Sequence, residues 1–461
     1  MSTSQEPAAA VAQRILEGAG GEACVLVDDM SEVDVRFANN TITSDGRRRL
    51  RRVSVVRYVD VPGGRSAGSA SATGDVDVEA LLGAAELDAL SAAPADDAAG
   101  LLDGGQDGDA YLPAPEVEPS SLSALLGELG EVLRRSATQR RVAAGFVEGS
   151  VVTTTVASTA GTMRRHVTPT AKVQLTLRDI STGASVWAGS GAGSMAGLSL
   201  AELEASLDVR LGWSTRRIDL PAGRYRTILP PDAVADMVPL AAQAASGRDA
   251  MEGHNVYSAP GSQTRIGQRL FDVPFNLRSD PDEPGLEAIP FVAARASSGD
   301  VSVFDNGAPI GRQTFVEDGI LRRLLWSRAG AARAGAQATF PGDNLILELP
   351  GSASSTQDLI SGTDRALLVT CLWYIREVDP ATLLLTGLTR DGVYLVEAGE
   401  VVAAVNNFRF NESPLDVLAR VSATGRTERA LSREWNEWFP RTAMPGLVVE
   451  DFNFSSVSPA T

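Results

Sequence analysis

Hydrophobic and polar positions change period several times along this chain, and the changes divide it into elements. Residues Pro7 to Gly18 carry apolar side chains at helical spacing and lead into an apolar run, Ala23-Cys24-Val25-Leu26-Val27. Alternating segments follow at Glu32–Phe37, Arg51–Val59 and Gly64–Ala70. A period of two marks half-buried antiparallel strands. An acidic, Ala-rich helix is predicted over Asp75–Ala92, and residues 93–120 hold Ala, Gly, Asp and Pro with few large apolar side chains, the composition of a surface crossover or linker. Helical spacing returns over Leu122–Arg141 and strand patterning over Val147–Trp187. Pro221–Pro230 marks a boundary followed by a short strand. Pro230-Pro231-Asp232 then opens a helix expected to run to about Ser246, kinked by Pro239 and ended by Gly247. The remainder is strand-rich, at Ile289–Phe291, Thr314–Val316, Leu345–Leu349, Ala366–Trp373, Gly392–Val396 and Val401–Asn406, with turns at Asp318-Gly319 and Ala398-Gly399. The expected fold is α+β in two domains, a mixed α/β sandwich-like domain over 1–220 and a β-rich domain over 221–461.

Composition narrows the class. At 461 residues the chain can bury two or three sizeable cores, and 44% hydrophobic residues with a mean hydropathy of -0.01 suit a globular protein rather than a disordered one. A net charge of -17 argues against nucleic acid and anionic membrane as partners, because both demand a basic surface. The basic runs Arg47-Arg48-Arg49-Leu50-Arg51-Arg52 and Arg164-Arg165 are expected to be exposed strand faces. Met1–Gly20 has no apolar core of signal-peptide length, and no later stretch reaches the roughly 18 apolar residues of a membrane span, so the cytoplasm is the expected location. Two cysteines without a framework of pairs agree with a reducing compartment.

Candidate chemistry is sparse. The chain has two histidines, His166 and His254, 88 positions apart (254 minus 166), and neither has another histidine within a helical turn. Catalytic zinc usually takes three ligands from His, Cys, Asp and Glu, and the solitary Cys24 and Cys371 complete no such set. The carboxylate groups Asp28-Asp29, Asp96-Asp97 and Asp280-Pro281-Asp282-Glu283 are expected in solvated turns, with no calcium-loop spacing around them. Lys172, the sole lysine, is expected to be a solvated strand residue. Gly189-Ser190-Gly191-Ala192-Gly193 lacks the Gly-Lys-Ser/Thr of a phosphate loop and is expected to be a flexible loop. No catalytic, cofactor-binding or metal-binding residue is assigned to this chain.

A set of ordered motifs nevertheless resembles the TldD/PmbA family. The first part carries Asn39-Asn40-Thr41-Ile42 and the Gly64–Ala70 strand; Pro221–Gly247 is similar to the family's Pro-Gly strand and Ala-rich helix. The run Phe304-Asp305-Asn306-Gly307-Ala308-Pro309, continuing to the Asp318-Gly319-Ile320-Leu321 hairpin, is similar to the family's Phe-Asp-x-x-Gly-x-Pro segment. Leu367–Thr370, Asp379–Thr382 and Asp391–Val401 look like further family features. The resemblance covers most of the chain, and order and spacing carry it. It implies an α+β fold and a relation to zinc peptidases whose helix carries His-Glu-x-x-x-His, with a C-terminal cysteine as another ligand. The matching helix here, Asp236–Ala244, has neither His nor Glu, and Trp435–Gly446 has no cysteine. The resemblance therefore implies the PmbA (TldE-like) branch: a metal-free subunit, with no cofactor of its own. It would pair as a heterodimer with a zinc-bearing TldD-like subunit and share with it a chamber for unfolded or modified peptides.

Two other classes stand beside this one. The fold could serve a natural-product or modified-peptide tailoring complex, or a stand-alone peptide-binding scaffold. A hidden serine or aspartate hydrolase is disfavoured by the thin supply of histidine, and the one Gly-x-Ser-x-Gly spacing, Gly64–Gly68, falls in a strand-patterned segment rather than at a strand-to-helix turn. Trp435, Trp438 and Phe439 form an aromatic group expected either in a satellite core or at a partner or substrate contact.

Overall fold

The computed structural model describes residues 6–459. Of Met1–Gly20, the first five residues lie outside the described ones. Strands β1 (Ala23–Ala38), β2 (Thr41–Val61), β3 (Gly64–Thr73), β4 (Arg141–Ser158), β5 (Met163–Asp179) and β6 (Ser185–Ala192) form an antiparallel sheet in the order β3-β2-β1-β4-β5-β6. Ala23–Val27 and Glu32–Phe37, expected as separate strands, are one strand of 16 residues. Its first half is covered on both faces. Helices α1 (Ala8–Gly18) and α2 (Val78–Ser91) pack on Val25 and Val27, while Phe291 and Phe304 pack on Cys24 and Leu26 from the other side. A strand covered twice needs an unbroken apolar run. Farther along, Val33, Val35 and Phe37 alternate inward beneath α3 (Ser123–Thr138) and α4 (Leu200–Trp213).

Several polar expectations change in this setting. Asp28 and Asp29 lie buried within β1 rather than in a turn. Asp29 accepts two hydrogen bonds from Arg51 at 2.6 and 2.7 Å; Asp28 accepts one from Thr154 Oγ1 at 2.9 Å and pairs with Arg295. Carboxylates entering a covered sheet must be partnered, because an unpaired buried charge is costly. Arg47, Arg48 and Arg49 do lie on an exposed strand, bridged to Glu116 and Glu32, but Arg51 and Arg165 are largely buried against Asp29 and Asp109. Gly189–Ala192 belong to β6 instead of a loop, and a Cβ on Gly189 would stand 2.9 Å from Leu431 Cδ2. Lys172 is 5% exposed, its Nζ 3.1 Å from Glu148 Oε1 and donating to the Asn436 carbonyl at 3.3 Å. Residues 93–120 are largely irregular, yet Ala95, Ala98, Leu101 and Leu102 pack against the Phe291 and Phe304 cluster.

The second half builds a 14-stranded sheet around the strand Thr442–Val457. That strand pairs with Leu345–Glu348 in parallel, and with Gly223–Leu229, Phe408–Glu412 and Val421–Ala430 antiparallel. Its residues Thr442–Val449 are all buried, which a hub with neighbours on both edges and cover on both faces requires. Ile289–Phe291 forms no strand beyond an isolated bridge from Phe291 to Pro309, and Ala366–Trp373 divides into Arg365–Val369 and Leu372–Asp379. The turns fall as expected: Asp318 and Gly319, then Ala398 and Gly399, take the positive φ values that two-residue hairpins need.

Helix α5 (Pro231–Gln243) keeps Pro239 in its interior and stops short of Ser246. Asn255 Nδ2 donates to the carbonyls of Ala244 and Ser246, which captures the departing chain. Gly247 begins α6 (Gly247–Glu252) rather than ending α5. A Cβ at Gly247 would come within 2.0 Å of the Trp326 ring, so the glycine supplies space for a close approach.

Candidate functional site

The carboxylate of Asp236 is fully buried on α5 and accepts four hydrogen bonds. Leu372 N–H donates to Oδ2 at 2.8 Å, while Ser432 Oγ, Arg433 N–H and Glu434 N–H donate to Oδ1 at 2.8, 2.8 and 3.2 Å. Trp435 Nε1 donates to the Asp236 carbonyl at 2.7 Å, and Leu431 N–H donates to Asp232 Oδ1 at 3.0 Å. One helix therefore holds both the strand beginning at Leu372 and the segment 431–435. Burial pushes Asp236 up to about 7, against the pull of its donors, and Asp232 up to about 6, with Arg210 and Leu431 N–H opposing the rise.

Beside this clamp lies a buried cation. The Arg433 guanidinium stands 5.4 Å from the Trp187 ring of β6 and 4.8 Å from the Trp373 ring. It pairs with Asp391 and donates to Cys371 Sγ at 3.3 Å. Desolvation is offset by the two indole faces and by the carboxylate. Burial pushes both thiols, Cys24 and Cys371, up to about 12, so neither supplies a thiolate at neutral pH.

A cleft of about 540 Å³ opens between α5, the segment 289–310 and the C-terminal aromatic group. Pro239, Ala242 and Gln243 are its α5 wall, and Arg295 and Asp300 stand on the opposite segment. Trp435 is buried, Phe439 packs on the main core, and Trp438 is 61% exposed, its ring edge-on to Trp435 at 5.1 Å. Of these aromatics, Trp435 is core, while Phe439, packed on the core, and Trp438 both line the cleft. The Phe304–Pro309 run is a lock inside the molecule. Asp305 accepts from Arg328 Nε at 2.7 Å, and Asn306 bonds both backbone groups of Ala294.

The histidines lie in separate elements. His166 is half-buried in β5, where burial, then Arg441 and Arg165, lower its pKa. His254 is exposed after α6. Among the described residues, one group of three potential metal ligands comes together, Asp249, Glu252 and His254, with ligand atoms within 4.8 Å of one another. Glu252 and His254 are exposed, and Arg248 already donates to Glu252. The Asp-x-x-Glu-x-His spacing was the available signal for this group. The role of Asp236 had a weaker one, a lone acid within the otherwise apolar run Val234–Ala242.

Residues 222–456 match the PmbA/TldA metallopeptidase C-terminal domain. The chain belongs to this PmbA/TldD family, which is related to metallopeptidases. Its fold is similar over nearly the whole length to TldE from Thermococcus kodakarensis, with a TM-score of 0.78 at 16% identity over 97% of this chain and 99% of that one. It is also similar to proteins described as candidate modulators of DNA gyrase. The Thermotoga maritima one gives a TM-score of 0.73 at 17% identity over 96% and 98% of the two chains, and the Bacteroides thetaiotaomicron one 0.74 at 15% over 97% and 98%. No curated protein matches. Among the described residues no helix is long and apolar enough to cross a membrane.

The zinc that the family implies is not matched by the donors at the cleft. Among the described residues no histidine or cysteine lines it, and α5 offers only the neutral amide of Gln243. Of the cleft carboxylates, Asp343 is paired with Arg441 and raised by burial, and Asp300 is pushed up to about 6 by burial. The buried carboxylate of α5, Asp236, already has both oxygens occupied by protein donors.

Proposed function

We propose that this chain is the metal-free subunit of a two-chain zinc peptidase of the TldD/TldE type, supplying one wall of a chamber whose catalytic metal belongs to the partner. The observation that carries the reading is α5. In place of a His-Glu-x-x-x-His ligand face it presents Pro239, Ala242 and Gln243 to the cleft and turns its acid, Asp236, inward as a clamp. The chain binds and positions an extended peptide, and hydrolysis takes place on the partner's metal. The similarity to a protein called TldE supports the pairing. Purification of the chain alone, and after co-expression with a TldD-like protein of the same genome, tests it by metal analysis and cleavage of an unstructured peptide. Zinc and cleavage confined to the co-expressed complex are expected. Stoichiometric zinc, or cleavage by this chain alone, refutes the assignment.

A further inference from the structure

The cleft has a composition that a spacer wall does not need. Its volume of about 540 Å³ falls within the ~300–1,000 Å³ typical of ligand pockets. Ala242, Phe291, Phe315 and Leu325 give it an apolar interior, and Trp438 stands at its edge. A tryptophan this exposed is usually mobile, yet Trp438 is braced. Its ring meets the edge of Trp435, and Trp435 is fixed by its bond to the Asp236 carbonyl. An aromatic surface held in place costs little conformational entropy when something stacks on it.

Two polar side chains line the cleft on this side: Arg295, 37% exposed, whose Nη2 pairs with Asp28, and the half-buried Asp300. One is a donor and the other an acceptor, and both belong to the segment 293–302. The pair complements the C=O and N–H of peptide groups. We propose that this cleft is a side-chain pocket that takes one bulky apolar residue of an extended peptide, with Trp438 as a wall and Arg295 and Asp300 addressing the main chain. This rests on the reading of the chain as a chamber wall and adds a preference that the wall imposes.

Calorimetric titration of the full chain with acetyl-Ala-Phe-Ala-amide and acetyl-Ala-Ala-Ala-amide tests it. Saturable one-site binding of the Phe peptide is expected, with the Ala peptide about tenfold weaker or more, as loss of a buried apolar side chain dictates. Trp438→Ala should weaken the Phe peptide about tenfold without shifting the unfolding midpoint, since the ring is 61% exposed. Asp300→Ala should weaken both peptides by the same factor, because it addresses the main chain. Equal affinity for the two peptides, no binding of either, or affinity for the Phe peptide unchanged by Trp438→Ala overturns the pocket. The two readings fail separately: preferential Phe binding by a chain that forms no zinc complex removes the heterodimer alone, and an active complex whose isolated wall ignores the Phe peptide removes the pocket alone.

Discussion

The Asp236 clamp can be tested quantitatively by comparing two substitutions. Asp236→Ala removes the acceptor from four donors at once: Leu372 N–H, Ser432 O–H, Arg433 N–H and Glu434 N–H. The site is sealed, so water does not replace the carboxylate freely, and each buried donor left unmet costs about 1–3 kcal/mol. Relief of the desolvated carboxylate offsets part of that sum. A net loss of about 3–5 kcal/mol near pH 8 follows, at the upper end of what point substitutions cause. Asp236→Asn keeps an oxygen where Oδ1 receives three bonds and places an amide NH₂ against the single donor at Oδ2, Leu372 N–H. One conflict instead of four orphans gives a loss of about 1–3 kcal/mol. Denaturant unfolding of the two variants and the parent measures both values. Asparagine as damaging as alanine, or both below about 1 kcal/mol, would refute the clamp as the structure draws it.

Two further outcomes follow from buried groups. Burial raises Asp236 from 3.8 to about 7, so between these values the folded state holds a proton that the unfolded chain has released. Stability contributed by this group is therefore greatest on the acid side and declines as pH rises from about 4 to about 7. Unfolding midpoints of Asp236→Asn should show a shallower fall over that window, and identical slopes in parent and variant contradict the assignment. Gly247→Ala places a Cβ 2.0 Å from the Trp326 ring, overpacking that should cost about 1–3 kcal/mol. A thermal scan showing no loss would mean that the Trp326 contact is not formed.

Much of the architecture was legible where local pattern and burial coincide. The alternation over Arg51–Val59 and Gly64–Ala70 became paired neighbours β2 and β3, and the helical spacing of Leu122–Arg141 became α3. The pattern failed where burial is decided by a distant segment. Lys172 lay in a strand, as expected, but the residue that buries it, Asn436, is 264 positions away. Asp28 resembled a turn acid because its partner Arg295 is 267 positions away. Gly189 looked mobile because Leu431, which needs its missing side chain, arrives from the far end of the chain. The candidate site shares this difficulty: Asp236 is 136 positions from Leu372 and 196 from Ser432, so no local period reports the clamp. What the sequence did expose was the lack of His and Glu over Asp236–Ala244.

The segment 431–441 explains how such a helix can still shape a cleft. Asp232 and Asp236 fasten its start to α5, and Lys172, Arg433 stacked on Trp187, and Arg441 bonded to Thr170 fasten it to the first sheet. The same short segment thus ties both sheets together and carries Trp438 on its exposed side. The positive charge at its centre is a guanidinium, which stays protonated and has no acceptor or open coordination position, so it orders the wall without activating water. Arg433→Ala would leave the buried Asp391 with only Arg390, its Nε 3.9 Å away, a loss somewhat below the about 3–5 kcal/mol of breaking an isolated buried pair, and would free the segment from the Trp187 face. The position of Trp438 then depends on the clamp and on the Lys172 and Arg441 ties. Ordering at the mouth of the cleft is therefore set by charges that do not line it, which separates the residues that hold the segment from the residues that face the cleft.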